Sequence, residues 1–381
     1  MPLPPPPGTP VPYAFRVSSG SSDGPRAAVV PGSEPTTAPP SAPGPAPAWA
    51  GALAALRHPL AGPAASALLL GACAVLIVHL VQSQTGTTGL LVGLGLAVLP
   101  VPFVLGALTW LNQSAQVPAR RLALCLAWGS CAATTAALLA NGWASDYLTA
   151  LQGSARGQTL GAEFATPLIE ETAKGVVLVL TMLPLRRAAR GRSGRDGADG
   201  NAGHCGEARE DGCGQAPPGP GPTRADRARL RRRAVASGIV LSGITACGFA
   251  FTENVLYLGR AFTDDQRQRL DSIGLGMSPS LRDYDDTVHT FVLRALLSPF
   301  AHPLFTALTG VGLAVTLTAR RRWPARLAAP GGLLLAVALH GAWNTAAGRG
   351  THEFLLVYAL LMVPCFVLLT GLALWSHGRS P

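Results

Sequence analysis

Charge is scarce in this chain: only 13% of its 381 residues are Asp, Glu, Lys or Arg. A solvated disordered protein carries far more charge, and ordinary soluble domains hold about 25%, so both classes are excluded. Lysine is scarcer still. Of 30 basic residues Lys174 is the single lysine, and the rest are arginine. The seven cysteines form no disulfide framework. Cys73, Cys125, Cys131, Cys247 and Cys365 sit inside apolar segments as small hydrophobes, and Cys205 and Cys213, beside His204, are poorly spaced for zinc. Free loop thiols suit a reducing cytoplasm. No basic stretch precedes an early apolar run, so the first apolar helix is expected to insert uncleaved. The arginine-rich "RADRARLRRR" lacks interleaved aromatics, so no nucleic-acid partner is expected.

Apolar residues are abundant, at 48% of the chain, and the mean hydropathy is +0.31. The composition is that of a polytopic membrane protein, with the lipid bilayer as its first partner. Residues 1–60 begin with a stretch rich in proline and small polar residues that cannot bury a core, and are expected to form a disordered cytoplasmic tail. Residues 61–381 are expected to form one membrane-embedded domain. A bilayer core of about 30 Å needs about 20 apolar residues per helix. Eight segments qualify, at roughly 64–82, 89–111, 121–140, 164–185, 235–258, 291–319, 327–347 and 353–376. The expected fold class is therefore an all-α polytopic helix bundle with about eight transmembrane helices. Trp110, Trp143, Trp323 and Trp375 fall near span ends, where interfacial aromatics belong.

Arginines set the expected orientation. Arg120 and Arg121 follow the second span, twelve arginines lie in 186–234, and Arg320, Arg321, Arg322 and Arg326 follow the sixth. These loops alternate correctly to be cytoplasmic together, whereas 259–290 holds six aspartates against four arginines. Both termini are then cytoplasmic, in a multi-pass protein of the cell membrane. The Gly-, Pro- and Arg-rich segment 186–234 reads as an unstructured cytoplasmic loop.

An ionisable side chain within a span costs about 2.5–3.5 kcal/mol on insertion scales, so each needs a partner or a role. The fourth span has Glu170, Glu171 and Lys174, the fifth Glu253 and Asn254, the sixth His302, and the seventh His340 and Asn344. With Arg294 marking the start of the sixth span, all four helices place these groups roughly 7–12 Å below the outer surface at the helical rise. Glu170 and Lys174 share a helix face, as do His340 and Asn344, and the series Phe249, Glu253, Tyr257. Pro299 and Pro303 flank His302 and are expected to distort its helix. His79 has no polar company and reads as structural.

Imidazoles and carboxylates in one layer are metal-site material, and the donor set suits a divalent metal, zinc first. His302, His340 and Glu253 are the candidate ligands, Glu170 or Glu171 the general base, and Asn344 an oxyanion donor or a participant in coordination. A metal-free version uses the same residues, with a desolvated glutamate activating water. Each motif alone also has a structural reading, as an ion-pair cluster or an interhelical hydrogen-bond knot. The rival function is a transporter or channel with the same groups as a proton or ion relay, which would string polar groups across the whole bilayer.

"EETAK" (Glu170 to Lys174), "GFAFTEN" (Gly248 to Asn254), a histidine after "SPFA" (His302) and "HGAWN" (His340 to Asn344), in this order on four helices, resemble the PrsW family of intramembrane proteases, relatives of the CAAX-prenyl endopeptidases. The resemblance covers about residues 164–347. It implies hydrolysis of a peptide bond in a membrane-anchored protein, an anti-sigma factor among the substrates. It carries site roles to Glu170, Glu171, Glu253, His302, His340 and Asn344. Glutamate at 253, where the CAAX-type relatives usually have histidine, sides with PrsW. The tail and the arginine-rich loop are departures that leave substrate and partner open, and the sequence sets no oligomeric state.

Overall fold

The structure, a computed structural model, describes residues 61–195, 223–278 and 280–378. The expected tail at 1–60 lies outside the described residues, as do His204, Cys205 and Cys213. The described residues form helices, with no strand among them. This is a multi-pass, all-α membrane bundle.

Eight helices carry the architecture: α1 (Ala61–Ala97), α2 (Val101–Ala115), α3 (Ala119–Gln152), α4 (Thr166–Arg195), α5 (Arg224–Gly274), α6 (Asp285–Thr318), α7 (Arg322–Ala347) and α8 (Thr351–His377). Six of them, α1, α3, α5, α6, α7 and α8, are long and apolar enough to cross a bilayer. The other two differ for separate reasons. α1 is two helices meeting at Gly86, whose φ of 68° and ψ of 174° only glycine adopts without strain. The expected second span is divided between the end of α1 and α2, because Pro100 and Pro102 fall where a continuous helix would need backbone donors. α4 has the length, but its apolar stretch carries Glu170, Glu171 and Lys174.

The expected loop at 186–234 is shorter at both ends. α4 runs to Arg195 and α5 begins at Arg224, while residues 196–222 lie outside the described ones. Alanine and arginine are strong helix formers, and Thr223 and Asp226 close a capping box at the start of α5.

α5 is the axis of the bundle: α1, α2, α3, α4, α6 and α8 all pack on it. Its stretch from Val235 to Phe249 is buried throughout, as a helix apolar on all faces must be. Close approach comes from small residues. Gly238 of α5 lies against the Gly310 backbone of α6, and Gly248 lies against the Leu126 carbonyl of α3. The main core joins Val177, Leu178 and Met182 of α4 to Val240, Leu241 and Ile244 of α5 and Leu313 of α6. By contrast, Leu68, Val75, Leu360 and Leu368 are exposed on α1 and α8, an apolar outer surface that only lipid satisfies.

The distortion expected near His302 is present. α6 passes through a π turn at Val292–Leu297, breaks at Ser298 to Phe300, and resumes at Ala301. Pro303 falls in the first turn of the resumed helix, where a missing N–H costs nothing. Arg294, assumed above to mark the start of the sixth span, lies before this break. Its side chain lies on the π turn and turns into the bundle.

Candidate active site within the bundle

The motif on α4 places three ionisable groups on adjacent turns. Lys174 and Glu171 have no exposed side-chain surface at all, and Glu170 is nearly as buried. Lys174 Nζ bonds Glu171 Oε1 at 2.8 Å and Glu170 Oε2 at 3.4 Å. Two further contacts come from other helices. His302 Nδ1 of α6 lies 3.2 Å from the ammonium, and the Phe249 ring of α5 lies beneath it at 4.0 Å. The only lysine of the chain is thus the buried counter-charge of its paired glutamates.

The two histidines approach edge to face, with ring centroids 5.2 Å apart. Their neighbours decide where each proton sits. An ammonium offers only donors, so His302 Nδ1 accepts and its proton sits on Nε2, which donates to Glu253 Oε2 at 2.8 Å. An ionised carboxylate only accepts, so His340 Nδ1 donates to Glu171 Oε1 at 3.1 Å, leaving Nε2 bare and 3.8 Å from Glu170 Oε2. That gap is too long for a hydrogen bond and wide enough to be bridged. Each imidazole therefore turns one unprotonated nitrogen inward, that of His302 engaged by Lys174 and that of His340 facing Glu170, with the other anchored on a carboxylate, the arrangement by which proteins ready histidine to hold a metal.

The two glutamates of α4 are held differently. Glu171 is saturated, with Lys174 and His340 on Oε1 and the Thr306 hydroxyl donating to Oε2 at 2.8 Å. Glu170 is loosely held: Asn141 Nδ2 and Lys174 Nζ both stand 3.4 Å from it. Glu253 is tied outward, accepting from Arg294 Nη2 at 2.6 Å as well as from His302.

The structure thus brings Glu170, Glu171, Glu253, His302 and His340 into one buried cluster and leaves Asn344 at its edge. The Asn344 amide donates to the Ala162 carbonyl at 3.0 Å, and no hydrogen bond joins it to the carboxylates or imidazoles. The group able to close round one ion also differs from the expected set. Glu170, His302 and His340 each offer a ligand atom within 4.8 Å of the others; Glu253 is not in that group. His79, His289 and His352 are exposed and lie apart. Two residues were missed by sequence reasoning. Arg294 was read as an interface marker, although a lone arginine two turns before a histidine and one helix away from a buried glutamate was its signal. Trp343, within "HGAWN", lines a narrow cleft that reaches His302, with Arg294, Asn254, Phe251, Val101 and Ala250 among the other walls.

The family model of the PrsW family intramembrane metalloproteases matches residues 117–369, more than half of the chain. The chain belongs to the PrsW family. No curated protein and no solved structure matches it. Membership makes this PrsW protein an intramembrane peptidase, and the match contains all four helices of the cluster.

The donor chemistry fits a divalent metal, which the family description implies. Two imidazoles and a carboxylate are a common catalytic zinc set. Glu170, His302 and His340 would hold the ion, their ligand atoms already lying within 4.8 Å of one another. The Lys174 ammonium lies against Glu170 and His302, so an ion held by these residues would take over contacts that the lysine makes here.

Proposed function

We propose that this PrsW protein hydrolyses a peptide bond of a membrane-anchored protein, near the outer face of the cell membrane, with Glu170, His302 and His340 as the reacting end of the site. The observation that carries the proposal is the convergence of three carboxylates and two imidazoles from α4, α5, α6 and α7, each bare imidazole nitrogen on the side of Glu170 or Lys174. Glu170, His302 and His340 would hold a divalent cation, zinc by its donors, and such a cation supplies polarisation of the scissile carbonyl and acidification of water.

The chain's own residues have separable tasks. Glu171 fixes His340 through Nδ1 and is itself fixed by Thr306 and Lys174. Glu253 fixes His302 through Nε2. Glu170 is the carboxylate with freedom to move. It would complete the ligand set of a bound cation, and without one its Oε2 would take the proton of the attacking water directly. The second version has its own observation: the Lys174 ammonium already supplies a positive charge against Glu170 and His302. Asn344 acts by docking α7 onto the turn before α4, and the oxyanion would be stabilised by the positive charge at this spot, a bound cation or the Lys174 ammonium. Water reaches His302 through the cleft beside Arg294 and Trp343.

A relay through the membrane finds less support. The buried carboxylates, histidines and lysine among the described residues are the cluster members plus Asp265, which lies beyond the outer end of the site. On the arginine-rich side, Val177, Leu178, Met182 and Leu241 close the bundle.

The test is cleavage of a single-span test protein co-reconstituted in liposomes. Glu170→Gln, Glu171→Gln, His302→Ala and His340→Ala are each expected to lower the rate by about 10²–10⁴-fold while the protein still inserts. Full activity in these variants would overturn the proposal.

A further inference from the structure

We propose that Arg294 is a positioning residue of this site, acting through Glu253 to hold His302 in the tautomer that leaves Nδ1 bare. The inference rests on the reading of His302 as a site ligand and extends it to a residue that touches neither the cluster's lysine nor its paired glutamates.

The geometry is a chain of three links. Arg294 Nη2 donates to Glu253 Oε2 at 2.6 Å, and His302 Nε2 donates to the same oxygen at 2.8 Å. Arg294 Nε donates to Asn254 Oδ1 at 2.8 Å, so one guanidinium grips two consecutive residues of α5. The Tyr257 ring, one turn further on, lies against the guanidinium at 4.0 Å. Three side chains of α5 therefore define a seat for one arginine of α6, and a planar fork fits it where an ammonium would reach one oxygen at a time. The π turn at Val292–Leu297 supplies the reach: its extra residue per turn rotates Arg294 toward α5, ahead of the break that frees the His302 turn.

The consequence is chemical. Glu253 unheld could rotate away from His302, and His302 Nε2 would then lose the acceptor that keeps its proton there. The proton could move to Nδ1, the nitrogen that faces Lys174 and Glu170, and the donor set would lose a lone pair. Carboxylates behind a metal-binding histidine typically account for about 10–100-fold in metal affinity. Arg294 sits one link further out, and the double grip on Glu253 and Asn254 transmits its effect.

The experiment measures zinc affinity by chelator competition on detergent-purified full-length protein, for wild type, Arg294→Met, Arg294→Lys, Glu253→Gln, the Arg294→Met/Glu253→Gln double variant and His302→Ala. The tautomer is read in parallel from imidazole nitrogen shifts of metal-free, histidine-labelled protein. Arg294→Met is expected to weaken zinc binding about 10–100-fold and to move the His302 proton signal off Nε2. Arg294→Lys should fall between it and wild type, and remains informative if the methionine variant does not fold. The double variant should be no weaker than the weaker single one, because both changes cut the same chain. Folded Arg294 variants with zinc affinity within twofold of wild type and an unchanged His302 signal would overturn the inference, as would losses that multiply in the double variant. If His302→Ala binds zinc as tightly as wild type, the ligand assignment beneath it has failed instead, and the two failures are told apart by that one variant.

Discussion

An ammonium without water is stable only while its counter-charges surround it, and Lys174 shows how completely this chain meets that condition. Glu170, Glu171, His302 and the Phe249 ring occupy its whole surroundings. Removing one partner of a buried pair strands the other, at a cost of about 3–5 kcal/mol. Lys174→Met is therefore expected to lower the thermal unfolding midpoint sharply in detergent. Lys174→Met with Glu171→Gln should recover part of that loss, because the second change removes the stranded charge. A Lys174→Met protein as stable as wild type would show that the paired carboxylates do not rely on it. The role of Lys174 was legible from spacing alone, since the i, i+3 and i, i+4 positions fix its neighbours. The role of Glu253 was not. Whether it holds a cation or holds His302 depends on Arg294, which approaches from another helix.

At the scale of the element, four of the five residues in the "HGAWN" stretch of α7 each have a task. His340 enters the cluster; Gly341 lets α7 lie against the Glu163 carbonyl; Trp343 walls the cleft and meets Phe354 with centroids 4.8 Å apart; Asn344 bonds the Ala162 carbonyl. A side chain at 341 would collide with that backbone. Gly341→Leu is expected to destabilise the protein by about 1–3 kcal/mol and to draw His340 away from Glu171, with loss of cleavage. Gly331 on the same helix has open space around it, so Gly331→Ala should be neutral or stabilising by up to about 1 kcal/mol. Comparison of the two unfolding midpoints checks this, and equal effects would show that close approach at Gly341 is not what positions α7. Helix existence was legible along the chain from long apolar runs. The break in α6 was foreshadowed by Pro299, but the π turn before it was not, because the turn's sequence, "VLRALL", is an ordinary helical one.

At the scale of the whole molecule, arginine-rich and aspartate-rich loops predict a sidedness that the bundle itself does not contain. We propose that the aspartate-rich hairpin between α5 and α6 is external. It is anchored by Asp265, which accepts from the Thr287 backbone and hydroxyl at 2.9 and 2.6 Å, and by Arg269 with Asp283. Leu275→Cys, on an exposed turn of that hairpin, should react with a membrane-impermeant maleimide on intact cells, whereas Arg320→Cys should react only after lysis, each against the wild-type background. The reverse pattern would invert the topology and move the site to the cytoplasmic half.

The sequence by itself determined the solvent, the helical class and the residues that gather in the buried cluster, because a bilayer penalises every ionisable group that lacks a purpose and so makes each one conspicuous. Tertiary structure alone decided how those residues divide the work. Proton positions on His302 and His340, the saturation of Glu171 against the freedom of Glu170, and the capture of Glu253 by Arg294 all arise where side chains from different helices meet within about 3 Å, a relation that no spacing along one helix encodes.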